Sequence, residues 1–136
     1  MSSSKRVLFM MSGSIAAFKA CQVISSLIKD GHEVQVVATK STFEFIGAMT
    51  LEGLTGKKVL SELWEKGRAM DHIHLTRWAD LAVLCPASAN TIAKFAGGFA
   101  EDLVGAMALA WPTDKKFWIF PAMNHQMLAN PATKEN

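Results

Sequence analysis

The residues with chemical potential in this sequence sit in short polar or proline-marked segments, each following an apolar run. Ser12-Gly13-Ser14-Ile15-Ala16-Ala17 follows Val7-Leu8-Phe9-Met10-Met11. A glycine there lets the main chain approach a ligand closely, and a helix starting just beyond it offers unpaired N–H groups to an anion. An ordinary tight strand-to-helix turn reads the same way. Pro86-Ala87-Ser88-Ala89-Asn90-Thr91 follows Leu81-Ala82-Val83-Leu84. Ser88 could simply cap a helix, but Ser88, Asn90 and Thr91 together offer more hydrogen-bonding side chains than one cap uses. Pro121-Ala122-Met123-Asn124-His125-Gln126-Met127 follows Phe117-Trp118-Ile119-Phe120. Asn124 either caps a helix or presents its amide to a carboxylate, and spacing alone does not choose.

The histidines and cysteines add less. His32 follows Gly31 in a turn and reads as solvated, and His125 lies in the loop after Phe117-Trp118-Ile119-Phe120. His72 and His74 stand in Asp71-His72-Ile73-His74 just ahead of a strand. His72 is a candidate acid/base group, against the commoner case of a structural histidine. Cys21 falls in a helical stretch and Cys85 ends a strand. Neither belongs to a Cys-x-x-Cys pair or a metal-ligand cluster, so both read as buried, reduced thiols and no metal is expected.

The elements that must position these residues are legible from periodicity. The run Val7 through Met11 reads as a strand buried on both faces, the pattern of a parallel sheet. Residues 15–30 carry Ala16, Ala20, Val23, Ile24, Leu27 and Ile28 on one helical face and stop at Gly31. Residues 33–38 form a second strand and complete a βαβ unit. Residues 41–54 look helical, 59–64 read as a short strand or loop, and 72–78 as a helical turn. Residues 81–84 are a third buried strand ended by Pro86. Helices follow over 87–95 and 103–110, then a fourth buried strand over 117–120 ended by Pro121. Asn130-Pro131 is a helix start, with a capping side chain and proline at the first helical position. The alternation predicts one α/β domain over residues 1–136, a doubly wound, three-layer parallel sheet.

In such sheets ligands lie beyond the carboxyl ends of the strands. A dinucleotide fingerprint is absent: there is one glycine where three are needed, and the second strand ends Ala38-Thr39-Lys40-Ser41 with no acid for a ribose diol. No Gly-Lys-Ser/Thr makes a P-loop. A mononucleotide such as FMN fits better, with Thr39 and Ser41 offering hydroxyls to its phosphate or ribityl chain. The chain of 136 residues is 50% hydrophobic and 19% charged, which suits a packed core. A net charge of +2 with scattered basic residues excludes a nucleic-acid footprint. The first apolar run is too short for a membrane span, and a cytoplasmic protein is expected.

Three stretches taken together carry a resemblance: Gly13-Ser14-Ile15-Ala16-Ala17-Phe18-Lys19, then His72 through Asp80 leading into Pro86-Ala87-Ser88-Ala89-Asn90-Thr91, then Pro121-Ala122-Met123-Asn124-His125-Gln126-Met127. In this order they resemble the homo-oligomeric flavin-containing cysteine decarboxylases. The likeness is greatest to the phosphopantothenoylcysteine decarboxylases of coenzyme A biosynthesis, with the peptidyl-cysteine decarboxylases as sister group. The resemblance implies a flavodoxin-like fold, bound FMN, and a homotrimer or a multiple of it with the flavin at the subunit interface. It implies cofactor contacts from Gly13, Ser14 and Ile15, from Thr39, Lys40 and Ser41, from Ser88, Ala89, Asn90 and Thr91, and from Ala122. His72 falls on the family's catalytic histidine and Asn124 on the asparagine that holds the substrate carboxylate.

The implied chemistry is flavin-dependent decarboxylation of 4′-phosphopantothenoylcysteine to 4′-phosphopantetheine. Removal of a hydride from the carbon bearing sulfur gives a thioaldehyde, which stabilises loss of carbon dioxide as an ene-thiolate, and return of the hydride from the reduced flavin with addition of a proton then gives the thiol. The alternatives are oxidative decarboxylation of a peptide's C-terminal cysteine and a non-catalytic flavoprotein regulatory subunit. Intact His72 and Asn124 argue against the last. Two departures stand out. The family pattern Met-Trp is Met127-Leu128 here. The family's C-terminal substrate clamp, with its proton-donating cysteine, has no match within residues 1–136, and neither Cys21 nor Cys85 corresponds to that cysteine.

Overall fold

The computed structural model describes residues 3–64 and 70–136. Four strands form one parallel sheet: β1 (Arg6–Met11), β2 (Glu33–Ala38), β3 (Leu81–Ala87) and β4 (Phe117–Pro121), in the order β2-β1-β3-β4. Among the described residues seven α-helices connect or follow them: α1 (Ala17–Lys29), α2 (Ala48–Thr55), α3 (Asp71–Trp78), α4 (Ala89–Gly97), α5 (Leu103–Leu109), α6 (His125–Ala129) and α7 (Pro131–Glu135).

Strand β1 explains the three layers. Successive side chains of a strand point to opposite faces. Val7, Phe9 and Met11 therefore pack with Ala17, Ala20 and Ile24 of α1 and Leu51 of α2. Leu8 and Met10 pack with Leu103, Val104 and Met107 of α5 and with Ala79 after α3. All five of these β1 residues are buried, the outcome for a run apolar on every position. Between β1 and β3 the chain reverses its direction across the sheet. That switch point is where a doubly wound sheet opens a crevice at its carboxyl end. The arrangement is the expected flavodoxin-like one.

Three local expectations are corrected, and the strand-or-loop reading of residues 59–64 resolves to a loop. The helix expected over residues 41–54 is split: a 3-10 turn over Lys40–Glu44 precedes α2, which starts only at Ala48. Thr39 N and Thr42 Oγ1 both donate to Met11 O, at 3.0 and 3.1 Å, so this segment is tied to the end of β1 before any α-helical ladder can form. Residues 59–64 contribute one bridge, Leu60 to Val37, and no strand. Pro86 does not end the third strand, which runs through it to Ala87. The ladder to β4 shifts register between Leu84 and Ala87, and such an irregularity accommodates a residue with no N–H. The Cys85–Pro86 peptide is cis. Finally, β4 is not buried: among the described residues it pairs with β3 alone, and Trp118, Ile119 and Phe120 are 51%, 44% and 48% exposed. An unbroken apolar run does not reveal whether a strand has a neighbour on its second side.

Candidate active site

The first loop is fastened from within. Ser12 is fully buried, and its N–H and Oγ both donate to Pro86 O, at 3.2 and 2.7 Å. The same Oγ accepts from Ser88 N at 2.8 Å. One hydroxyl thus ties the loop after β1 to the loop after β3. Sequence reading placed Ser12 in the loop without giving it a role; its signal would have been a small hydroxyl directly before the glycine. Gly13 then passes so close to the loop after β2 that a Cβ there would lie 2.7 Å from Ser41 Oγ and 3.0 Å from Ser41 O. This close approach is what demands glycine, whose φ is not in the left-handed region. Ser14 builds the turn into α1, its Oγ accepting from Ala16 N at 3.1 Å and its carbonyl from Ala17 N at 3.0 Å. Among the described residues the N–H groups of Gly13, Ser14 and Ile15 have no acceptor, and the Ile15 side chain is exposed.

The second and third loops face each other. Thr39 Oγ1 lies 3.0 Å from Ser41 Oγ and 3.1 Å from Thr42 Oγ1. Ser88 caps α4, accepting from Thr91 N at 3.2 Å and donating to Thr91 Oγ1 at 3.1 Å. The cap therefore uses Ser88 and the buried Thr91, and leaves Asn90 exposed. Thr39, Lys40, Ser41, Asn90 and Thr91 line one cavity of ≈ 450 Å³. Ser61, Lys94, Glu101 and Asp102 complete its wall, and sequence reading did not single them out. Lys94 is bonded to Glu101 at 2.6 Å, which raises its pKa. Lys40 stands 3.9 Å from Glu62. The cavity is polar and carries cations on both walls, each with a carboxylate beside it.

The fourth loop joins through its main chain. Ala122 N donates to Ala87 O at 3.0 Å, so Ala122 lies beside the end of β3. Asn124 caps α6, its Oδ1 accepting from Met127 N at 2.8 Å. The capping role is realised, and it occupies only the oxygen: the exposed amide nitrogen has no partner among the described residues.

His72 is placed elsewhere. It lies in the first turn of α3, half-buried, and lines a separate cavity of ≈ 340 Å³ with Leu63, Trp64, Ile73, Ala106 and Leu109. Its Nδ1 is enclosed and has no hydrogen-bond partner among the described residues. A buried polar atom left unpaired is costly, so an imidazole in this state is one that a further group would satisfy. His74 is exposed. His32 is less free than its turn suggests, since its Nδ1 accepts from Lys5 N at 3.0 Å. Cys21 and Cys85 pack against the core, and burial raises both thiol pKa values. Among the described residues no cluster of potential metal ligands occurs.

The single chain therefore gathers the residues of the first three loops and Ala122 at one end of the sheet. It sets His72 and Asn124 in other surroundings. A model of the family described as Flavoprotein matches residues 1–136. The Coenzyme A biosynthesis bifunctional protein CoaBC of Vibrio parahaemolyticus is 42% identical over 134 residues, covering 97% of this chain and 33% of the relative. This chain thus spans about a third of the length of that protein. A probable phosphopantothenoylcysteine decarboxylase of Streptococcus mutans is 41% identical over 135 residues, covering 98% of this chain and 75% of the relative. Among solved structures, a PPC decarboxylase mutant complexed with pantothenoylaminoethenethiol superimposes with a TM-score of 0.85 at 35% identity, covering 98% of this chain and 75% of that one. The FMN-dependent cysteine decarboxylase SpaF superimposes with a TM-score of 0.88 at 31% identity, covering 96% and 75%. The fold, the four strand-end loops and these likenesses together make the chain a member of the flavoprotein family, within its flavin-containing cysteine decarboxylases.

Proposed function

We propose that this chain is an FMN-binding domain that decarboxylates 4′-phosphopantothenoylcysteine to 4′-phosphopantetheine in coenzyme A biosynthesis. The observation that carries the reading is the knot of loops at the carboxyl end of the sheet, held by Ser12 and by the contact of Gly13 with Ser41. The residues present fit FMN. The free N–H groups after Gly13 suit a phosphate, hydroxyls of Thr39 and Ser41 suit a ribityl chain, and Asn90 and Thr91 face them across the polar cavity. Gly13, Ser14, Ile15, Thr39, Lys40, Ser41, Ser88, Ala89, Asn90, Thr91 and Ala122 make up this cofactor site. Relatives named as phosphopantothenoylcysteine decarboxylases support the substrate assignment.

Bound FMN supplies the hydride acceptor that a cysteine carboxylate lacks in its own structure. The chain's residues do the rest. The Asn124 amide nitrogen, left over from the cap, donates to the substrate carboxylate and orients it. His72 holds or moves a proton at its imidazole. A second copy of the chain brings these two groups to one flavin, in a trimer or a multiple of it. The exposed Phe99, Leu109, Trp64 and Met70 on the side of α3 and α5 offer the apolar surface for such an assembly. The substrate is a small molecule, no nucleic acid or membrane is involved, and the compartment is the cytoplasm. No helix among the described residues is long and apolar enough to cross a membrane.

The likeness to EpiD, solved in complex with the substrate peptide DSYTC and 28% identical to this chain, favours a second reading, decarboxylation of a peptide's C-terminal cysteine. Purified protein is expected to release FMN on denaturation, identified by absorbance and mass, and to run as a trimer or multiple in light scattering. Carbon dioxide release is then compared between phosphopantothenoylcysteine and a peptide ending in cysteine. His72→Asn is expected to lower turnover by ~10²–10⁴ with flavin retained, since asparagine keeps a hydrogen bond but exchanges no proton near neutral pH. His74→Asn is the control and keeps most activity. A nicotinamide in place of FMN, or normal turnover in flavin-loaded His72→Asn, refutes the assignment.

A further inference from the structure

Helix α3 carries His72 and has no side-chain cap of its own at its N-terminus. Its other end is held by a residue far along the chain. Lys115 Nζ donates to Thr76 O at 2.9 Å, Arg77 O at 3.1 Å and Ala79 O at 2.7 Å. An ammonium group has three protons, and three carbonyls at or just beyond the C-terminus of α3 take them. The positive charge also meets the negative end of the helix dipole.

Lys115 is itself braced. Its N–H donates to Pro112 O at 3.2 Å, its carbonyl accepts from Trp111 Nε1 at 3.2 Å, and its ammonium lies 5.5 Å from the centre of the Trp111 ring. Trp111 meets Phe117 edge-on at 6.0 Å. The next residue, Lys116, accepts from Ala82 N through its carbonyl and so opens the pairing of β3 with β4. The turn before β4 thus anchors α3 to the rigid sheet.

We propose that Lys115 is a positioning residue for His72, an inference that rests on reading His72 as the acid/base group. Thr76, whose carbonyl Lys115 holds, lies one turn from His72 on the same face of α3, at the i, i+4 spacing. Thr76 is buried, and its Oγ1 donates to Ile73 O at 2.8 Å, stiffening the turn between them. Fixing the helix end sets where α3 sits along α5, and with it where the half-buried His72 ring stands. Without Lys115 the helix end loses all three of these bonds, and α3 can shift on the apolar cluster that Leu75 and Trp78 share with Leu103, Val104 and Met107 of α5.

The test uses flavin-loaded protein with Lys115→Met and Lys115→Arg. Lys115→Met is expected to lower kcat by about tenfold or more, toward the ~10²-fold that a 1 Å misplacement can cost, with KM and flavin content unchanged. Lys115→Arg recovers part of the loss: it keeps the charge, but its planar fork cannot send three protons to three carbonyls that converge on one point. Independently of turnover, the imidazole NMR signals of His72 are expected to shift or broaden in Lys115→Met while those of His32 and His125 stay in place. A variant with a lower Tm but wild-type His72 signals and wild-type kcat per flavin-loaded molecule overturns the proposal. Should Lys115→Met not be recovered folded, the same two readouts on Lys115→Arg decide, and wild-type values there overturn it. If the wild type releases no carbon dioxide, the functional reading fails, and the His72 signals alone still decide whether Lys115 positions that ring.

Discussion

Two strand-end loops of this chain follow one local plan and meet different fates. Pro86-Ala87 ends β3 and leads into Ser88, and Pro121 ends β4 and leads through Ala122-Met123 into Asn124; each passes through Pro-Ala and closes on an N-cap that accepts from the residue three positions on. The first loop is buried at Pro86 and Ala87 and is gripped by Ser12 on both sides of the turn. The second is exposed at Pro121 and Asn124, and Ala122 N ties it to Ala87 O. The same capping chemistry therefore gives a rigid floor in one place and a presented amide in the other. Capping is local, whereas rigidity comes from what the neighbouring strand brings alongside.

The largest effect that sharpens this contrast is at Asn124. Asn124→Asp keeps an oxygen for the α6 cap but replaces the amide donor with a negative charge. Turnover is expected to fall by ~10² or more, as for loss of a donor aimed at reacting charge, with Tm nearly unchanged. Steady-state carbon dioxide release and calorimetry on one sample check it, and an active Asn124→Asp would reduce Asn124 to a cap. The next effect is at the rigid end. Gly13→Val forces side-chain atoms onto Ser41, and overpacking of this kind costs about 1–3 kcal/mol. FMN affinity, followed by quenching of free flavin fluorescence, is expected to weaken about 5- to 150-fold by the same energy; unchanged affinity would mean that the loops are not coupled.

A smaller pair of changes compares the loops directly. Ser12→Ala leaves Ser88 N–H without its acceptor, a loss of about 1–3 kcal/mol. Asn124→Ala removes only an exposed cap, about 0.5–1 kcal/mol. Urea unfolding of the two variants is expected to rank them in that order, and the reverse order would break the comparison. The smallest effect lies at the opposite end of the sheet. Asp80 accepts from Arg6 N at 2.8 Å and from its guanidinium at 3.5 Å, and these bonds hold its carboxyl below the usual range. A depressed carboxylate pKa contributes stability that is present above the unfolded value of ~3.9 and is lost as pH falls through the folded one. The Tm difference between wild type and Asp80→Asn is therefore expected to be small at pH 7 and to vanish once the pH has fallen through the depressed pKa of Asp80 in the folded state. FMN content should not change; a change would tie this end of the sheet to the site.

Much of the architecture is local enough to read. Val7 through Met11 is apolar at every position, and a strand with two covered faces is the arrangement that uses such a run. Asn130-Pro131 starts a helix because a cap and a missing N–H act within one turn, and α7 does begin there with Asn130 Oδ1 accepting from Ala132 N at 2.9 Å. The segment after β2 was misread because Phe43, Phe45, Ile46 and Met49 have helical spacing, whereas Thr39 and Thr42 spend their hydrogen bonds on Met11 O. The candidate site divides the same way. Gly13 and Ser88 announce themselves by type, but Ser12, Lys94 and Lys115 do not, since their partners lie 74 or more, 7 and 36–39 positions away.

By itself the sequence determined the order of elements, the parallel sheet, the approximate positions of the strand-end loops and the cap that opens α7. Each of these depends on side-chain period or on a hydrogen bond closed within four residues, which the chain carries wherever it goes. Only the tertiary structure decided that Trp118, Ile119 and Phe120 of β4 are exposed in this chain, that Gly13 must clear Ser41, that Ser12 locks two loops together, and that Lys115 holds the helix of His72. Those outcomes depend on distances between segments remote in sequence, and such distances exist only once the sheet has brought the segments together.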